Sequence, residues 1–136
     1  MDIKEISQYN VLSLAYLGDA IWDSYVRQYY FFENLKVDEF NNKVKNFVNA
    51  KMQSKIYKEI FGELDKELQD ISKRGRNTKI KSFAKSCSPT EYRNATAFEV
   101  LIGTLHLLGN EENNNGARLS ASTNHIRALV FSLFHK

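Results

Sequence analysis

Helical spacing is the feature that most limits what this chain can fold into. Apolar side chains recur every three or four residues along most of the sequence, and no stretch alternates between apolar and polar residues as a half-buried strand does. A single proline and six glycines leave few interruptions to helices. With 136 residues, 43% of them hydrophobic, the chain fits one domain, residues 1–136, with a buried core. The sequence therefore predicts an all-α domain of six or seven helices.

Caps and glycines predict where the helices begin and end. The run Ser88-Pro89-Thr90-Glu91 is typical of a helix start, with an N-cap, a proline at the first position and a capping-box glutamate. Gly62, Gly75 and Gly109 each follow an apolar periodic run and are predicted to end helices. After a short lead-in over residues 1–11, we predict helices over about 12–30, 37–48, 50–62, 64–75, 88–108 and 117–134.

The first long helix carries a glycine and an acid in an unusual position. Its apolar stripe, predicted to face the core, consists of Leu14, Leu17, Ile21 and Tyr25. Gly18 costs a helix about 1 kcal/mol relative to alanine, so a glycine here predicts that another group approaches the backbone closely. Asp19 lies off the stripe. This combination indicates a candidate site.

A second helix repeats the combination. Glu99 lies beside an apolar stripe, and Gly103 follows one turn later on the same side. If the two helices pack with these sides facing, Asp19 and Glu99 meet. Adjacent carboxylates repel unless a cation lies between them, and oxygen ligands suit Mg²⁺. The alternatives are a solvated surface acid for Asp19 and a core ion pair for Glu99.

Positive charge is concentrated in one segment. The net charge is only +3, but residues 73–85 hold six positive charges and no acid, which leaves −3 for the rest of the chain. We call residues 73–85 the basic segment. A local field of this kind favours docking of a polyanion, and the alternative is a solvated run of charge. The six cations are Lys73, Arg74, Arg76, Lys79, Lys81 and Lys85.

The sequence also bears on the cellular compartment. Cys87 is the only cysteine, so no internal disulfide can form and a reducing compartment is the default. The first residues show no basic-then-apolar leader, and no uncharged apolar run approaches the ~18 residues of a membrane span. We therefore predict a cytoplasmic protein.

Three motifs resemble those of a known family. They are Leu-Ala-Tyr-Leu-Gly-Asp-Ala at 14–20, Arg-Gly-Arg-Asn at 74–77 and Glu-Tyr-Arg-Asn-Ala-Thr-Ala-Phe-Glu at 91–99. The first and third resemble the signatures of the ribonuclease III catalytic domain. All three, in this order, resemble the compact bacterial form called Mini-ribonuclease III. The resemblance covers nearly the whole chain from about Leu12.

The resemblance implies a function and a site. It implies a Mg²⁺-dependent endoribonuclease, with Mn²⁺ as a substitute, that cleaves double-stranded RNA in maturation of large-subunit (23S) ribosomal RNA. It assigns Asp19 and Glu99 as catalytic residues and metal ligands. The six cations are predicted RNA contacts because of their concentration in one segment, and the match of Arg76 and Asn77 to the family element adds Asn77 and favours these two. It also implies a homodimer, which the surplus aromatic residues at 25–32 favour, and a catalytic domain that grips RNA without a separate RNA-binding module.

Two positions depart from the ribonuclease III signature. Ala15 and Thr96 replace two of its four acids, and the Ala15 change agrees with the Mini form. Asp23, Tyr92 and Thr96 are candidate outer-shell residues of the site; the alternatives are a surface acid for Asp23, which the sequence favours, and core packing for Tyr92. Two other functions remain open. One is a non-catalytic ribonuclease III-like protein that binds RNA or the ribosome, and the other is an all-α protein-interaction module.

Overall fold

The described residues fold into helices, as the spacing predicts. The structure is a computed structural model that describes residues 1–78 and 87–109. No strand occurs among these residues, and the all-α prediction is confirmed. The predicted helix over 117–134 lies outside the described residues. The elements are α1 (Ile3–Ile6), α2 (Val11–Phe31), α3 (Val37–Lys45), α4 (Ala50–Ile60), a 3-10 turn (Phe61–Glu63), α5 (Lys66–Arg76) and α6 (Pro89–Gly109).

Helix α6 is the centre of the fold. It packs against α1, α2, α4 and α5 and is buried on most of its sides. Phe98 has no exposed surface, and the Trp22 ring of α2 meets its ring edge-on at 4.9 Å between centroids. The Trp22 indole Nε1 donates to the Phe47 carbonyl at 2.8 Å, which ties α2 to the segment after α3. No described helix combines the length and apolar character that crossing a membrane requires.

The start of α6 follows the predicted cap. The Glu91 amide donates to the Ser88 hydroxyl at 3.1 Å, and the Glu91 carboxylate accepts from the Ser88 amide at 2.9 Å. These two bonds satisfy backbone donors that the first helical turn leaves open. The bond from the Ser88 amide to the carboxylate is the main cause of the lowered pKa of Glu91. The capping box therefore fixes where the central helix begins, ten residues before Glu99.

The predicted apolar stripe of α2 is wrong by about one residue. The buried positions are Leu14, Ala15, Gly18, Trp22 and Val26, whereas Leu17 is 38% exposed. The physical reason is the small pair Ala15 and Gly18, which allows α2 to pack more closely on α6 than a leucine stripe would. The predicted stripe was found by counting large apolar residues only. It missed the buried face of α2 because the smallest side chains make the contact with α6.

Two glycines do not have the predicted role of helix stops. Gly75 lies inside α5, and a Cβ there would come within 2.7 Å of Val100 Cγ2 on α6. Its function is thus close packing of α5 on α6. Helix α4 ends at Ile60, and Gly62 follows within the 3-10 turn with nothing within 4 Å of a Cβ position.

Candidate active site

Two glycines place the backbones of α2 and α6 in direct contact. A Cβ on Gly18 would lie 1.8 Å from the Glu99 carbonyl oxygen, and a Cβ on Gly103 would lie 2.5 Å from the Leu14 carbonyl oxygen. Real side chains do not tolerate such distances to backbone atoms. Each helix therefore needs glycine where the other crosses it, and the close approach predicted for Gly18 is supplied by Glu99 itself.

This crossing brings the two acids of the sequence prediction together. Asp19 follows Gly18 in α2, and Glu99 is the residue whose carbonyl meets Gly18. Burial and, second, the negative charge of Asp19 raise the pKa of Glu99 to about 8. Burial and then the charge of Asp23 raise the pKa of Asp19. The two carboxyls thus form a repelling pair, one on the surface and one largely buried.

The pair fits a divalent cation. Among the described residues, neither Asp19 nor Glu99 forms an ion pair or a side-chain hydrogen bond. The alternative of a core ion pair for Glu99 therefore finds no partner in residues 1–78 and 87–109. No group of three or more His, Cys, Asp or Glu in this part of the chain is arranged to hold a metal. Mg²⁺ is commonly bound by two carboxylates, with water and substrate phosphate as its remaining ligands.

The three candidate outer-shell residues have different surroundings. Asp23 accepts from Arg27 at 3.1 Å, and its charge reaches Asp19 strongly enough to raise the pKa of that carboxyl. Thr96 is buried, and its hydroxyl donates to the Tyr92 carbonyl at 3.1 Å within α6. Tyr92 is half-buried. Thr96 therefore cannot replace the charge of the acid that the family signature has at this position.

The basic segment is described as far as residue 78. Arg74 is exposed and donates from Nη1 to the Ser7 carbonyl at 2.9 Å, which joins α5 to the end of α1. The Lys73 ammonium lies 5.3 Å from the centre of the Phe61 ring. Arg76 ends α5 and is half-buried, with Asn77 as the exposed C-cap. Lys79, Lys81 and Lys85 lie outside the described residues.

Sequence reasoning missed one feature next to the basic segment. A cleft of about 470 Å³ opens between α4, the end of α5 and the start of α6. Within residues 1–78 and 87–109 its cationic side chains are Lys58, Arg76 and Arg93, of which Arg76 belongs to the predicted RNA-binding set. The available signal was in the motifs of the resembled family, since Arg76 lies in the second motif and Arg93 in the third.

The raised pKa of Glu99 gives a prediction that does not involve cleavage. Between pH 4.5 and about 8 the folded protein keeps a proton on Glu99 that the unfolded chain has lost, so stability falls as the pH rises through this window. Glu99→Gln removes this penalty. In EDTA we expect its free energy of unfolding to exceed that of the wild type by about 4 kcal/mol near pH 8 and by less than about 1 kcal/mol near pH 5.

Thermal unfolding at the two pH values measures this difference. Glu59→Gln, at an exposed position of α4, is the matched control and should leave the pH dependence unchanged. Added Mg²⁺ should stabilise the wild type but not Glu99→Gln, because a ligand stabilises only the state that binds it. The same pH dependence in Glu99→Gln and wild type would show that Glu99 is not the group whose burial opposes folding.

A family model described as the ribonuclease III domain matches residues 12–110, which include both glycines and both acids of the α2–α6 crossing. The fold and the crossing thus define a ribonuclease III domain.

Relatives give the branch of the family. The Mini-ribonuclease 3-like protein of Fusobacterium nucleatum is 48% identical over 109 residues, which are 80% of this chain and 84% of that protein. The Mini-ribonuclease 3 of Clostridium tetani is 40% identical over 111 residues, 80% of this chain and 74% of that protein. A crystal structure of a Fusobacterium nucleatum protein matches with a TM-score of 0.79 and 39% identity, covering 95% of this chain and 96% of that one. The chain belongs to the Mini-ribonuclease III branch of the ribonuclease III family, and this membership supports an endoribonuclease.

Proposed function

We propose that this protein is a divalent-cation-dependent endoribonuclease that cleaves double-stranded RNA. The observation that carries the proposal is the backbone contact at Gly18 and Gly103, which brings Asp19 and Glu99 together without a cationic partner among the described residues. A repelling pair of carboxyls opposes folding, so its presence at a helix crossing built from glycines favours a functional role. Relatives named Mini-ribonuclease 3 support the same activity.

Asp19 and Glu99 would hold Mg²⁺ or Mn²⁺. Such an ion supplies Lewis-acid stabilisation of the charge that develops on a phosphodiester under attack by water. Glu99 must release its proton to act as a ligand, because burial and the neighbouring Asp19 keep its pKa at about 8 in the cation-free protein. Asp19, at the exposed end of the pair, presents its carboxylate where an RNA phosphate can reach it. The products would carry 5′-phosphate and 3′-hydroxyl ends.

The basic segment is the proposed grip on RNA. Double-stranded RNA is recognised mainly by shape, through phosphates and 2′-hydroxyls. Lys73, Arg76 and Asn77 cluster at the C-terminal end of α5, and they would act with Lys79, Lys81 and Lys85. Arg74 would also contribute its charge, although its hydrogen bond to Ser7 gives it a structural task as well.

Neutralising Arg76 tests this grip. We expect Arg76→Ala to weaken duplex binding and to reduce the slope of log affinity against log salt by about 1, the value for one lost phosphate contact. Binding is measured in EDTA at several salt concentrations, with Lys36→Ala at the start of α3 as a control for loss of an exposed cation. An unchanged slope in Arg76→Ala would exclude contact between this residue and phosphate.

The RNA substrate and the oligomeric state are also part of the proposed function. We infer that the duplex is a precursor of large-subunit (23S) ribosomal RNA. We also infer a homodimer whose two sites cut the two strands. Exposed apolar side chains next to Asp19 on α2 support a second copy, since Tyr16 is 82% exposed, Leu12 43% and Leu17 38%. At the end of α2, Phe31 and Phe32 are also exposed apolar side chains.

A second candidate function is RNA or ribosome binding without cleavage. Ala15 and Thr96 leave the site with two carboxylates, and a site with fewer carboxylates binds a cation more weakly, whereas the retention of Asp19 and Glu99 argues against this candidate. One assay separates the two functions. The protein is incubated with a long RNA duplex in Mg²⁺ or in EDTA, and we expect cutting in Mg²⁺ alone. Duplex binding in both solutions with no cutting in either would contradict the enzyme and select the second candidate.

A further inference from the structure

The cleft between α4, α5 and α6 has the chemistry of an anion site. Among the described residues, its lining includes three cations and no acidic side chain. Its volume of about 470 Å³ lies in the range of small-molecule sites.

The cleft faces away from the carboxylate pair. Arg93 precedes Glu99 by six residues of α6, which places it about 9 Å along the helix axis and about 120° around it. Thr90, nine residues before Glu99, lies on the opposite side of the helix by the same count. The cleft is therefore not part of the site formed by Asp19 and Glu99.

Two of the three cations are available to a ligand. Within residues 1–78 and 87–109, Arg76 and Arg93 form no hydrogen bond or ion pair through their side chains. The third cation, Lys58, lies near enough to Glu91 to contribute to the lowered pKa of that carboxyl, so Glu91 already shares its charge. Two guanidinium groups at one cleft are well suited to a phosphate, which they can bind through paired hydrogen bonds.

Aromatic rings form the other part of the wall. Tyr57 is buried, its hydroxyl is hydrogen-bonded to Ser72 at 2.8 Å, and its ring lies 5.6 Å from that of Phe61. Phe61 is half-buried and lines the cleft. Such a ring offers a surface on which a nucleobase can stack, whatever the base. Polar groups of Asn77 and Thr90 are in place for a sugar hydroxyl.

We propose that this cleft binds a nucleoside monophosphate unit, with the phosphate at Arg76 and Arg93 and the base on Phe61. The unit is either a free mononucleotide or an unpaired 5′-phosphorylated nucleotide at the end of an RNA. The inference does not depend on RNA cleavage, because binding is measured in EDTA, where the proposed enzyme is inactive.

The test is a titration of isotope-labelled protein with adenosine monophosphate or inorganic phosphate, followed by nuclear magnetic resonance in EDTA. We expect the nucleotide to shift the signals of cleft residues and to bind at least tenfold more tightly than phosphate. Arg93→Ala should weaken nucleotide binding at least tenfold, and Phe61→Leu should weaken the nucleotide but not phosphate. Lys55→Ala, which removes an exposed cation of α4 outside the cleft, should bind as the wild type does.

Three results would overturn the proposal. They are the absence of cleft shifts at millimolar nucleotide, equal affinities for nucleotide and phosphate, and unchanged affinity in Arg93→Ala. Two RNA duplexes show whether the bound unit is a free nucleotide or the end of an RNA. One duplex is blunt, and the other carries one unpaired 5′-phosphorylated nucleotide. Tighter binding of the overhang, lost in Arg93→Ala, assigns the cleft to RNA ends. Equal binding of the two duplexes assigns it to the free nucleotide.

Discussion

Asp19→Asn should reduce RNA cleavage by roughly a thousandfold or more while leaving the fold and duplex binding intact. The amide keeps the size of the carboxylate but removes the charge that a divalent cation needs. Glu99→Gln should be as severe. The double variant should be no worse than either single one, since both residues would serve one ion and their effects are then not additive. Initial rates on a long duplex in Mg²⁺ measure all three.

Controls separate a lost ligand from a lost fold. Asp38→Asn removes an exposed carboxylate from α3 and should cleave as the wild type does. Duplex binding in EDTA should be at least as tight in Asp19→Asn as in the wild type, because the variant removes a negative charge near a polyanion. Near-normal cleavage by Asp19→Asn would exclude this residue from the mechanism.

Gly18→Ala should be the most disruptive single-methyl change on α2. The added Cβ would lie 1.8 Å from the Glu99 carbonyl oxygen and 2.9 Å from the Gly103 amide nitrogen, both backbone atoms that cannot turn away. The helices must separate, and we expect a loss of about 3 kcal/mol or more in the free energy of unfolding. Cleavage should fall by more than the loss of folded protein explains, because the movement that separates the two helices also separates Asp19 from Glu99.

Gly62→Ala is the matched control for this variant. A Cβ there meets nothing within 4 Å, and Gly62 does not have a positive φ. Its effect on stability should be small or slightly favourable. Chemical unfolding of both variants, with cleavage measured on the folded fraction, tests the pair. Equal stabilities for Gly18→Ala and Gly62→Ala would show that α2 and α6 are not in backbone contact at Gly18.

Local signals in the sequence were enough to predict much of the fold. The helical spacing predicted the all-α class, and the Ser88–Glu91 run predicted the start of α6 because both bonds of a capping box are local. The close approach at Gly18 was also predictable, since a glycine inside a good helix has a cost that needs a reason. The sequence could not show what approaches it, because Glu99 is eighty residues away.

Features that depend on distant contacts were not predictable in the same way. The buried face of α2 is set by Ala15 and Gly18 against α6, so counting large apolar residues placed it wrongly. Gly75 has the appearance of a helix stop, but its role is contact with Val100 on another helix. The bond from Arg74 to Ser7 spans 67 residues. The cleft at Arg93 likewise requires three helices to be assembled before it exists.

An anomalous difference map from crystals grown with Mn²⁺ tests whether Asp19 and Glu99 share one divalent cation. We expect a peak at about 2.2 Å from a carboxylate oxygen of each residue, absent in Glu99→Gln. A map with no peak between them, or with either carboxylate turned away and paired with a basic side chain, would contradict this expectation.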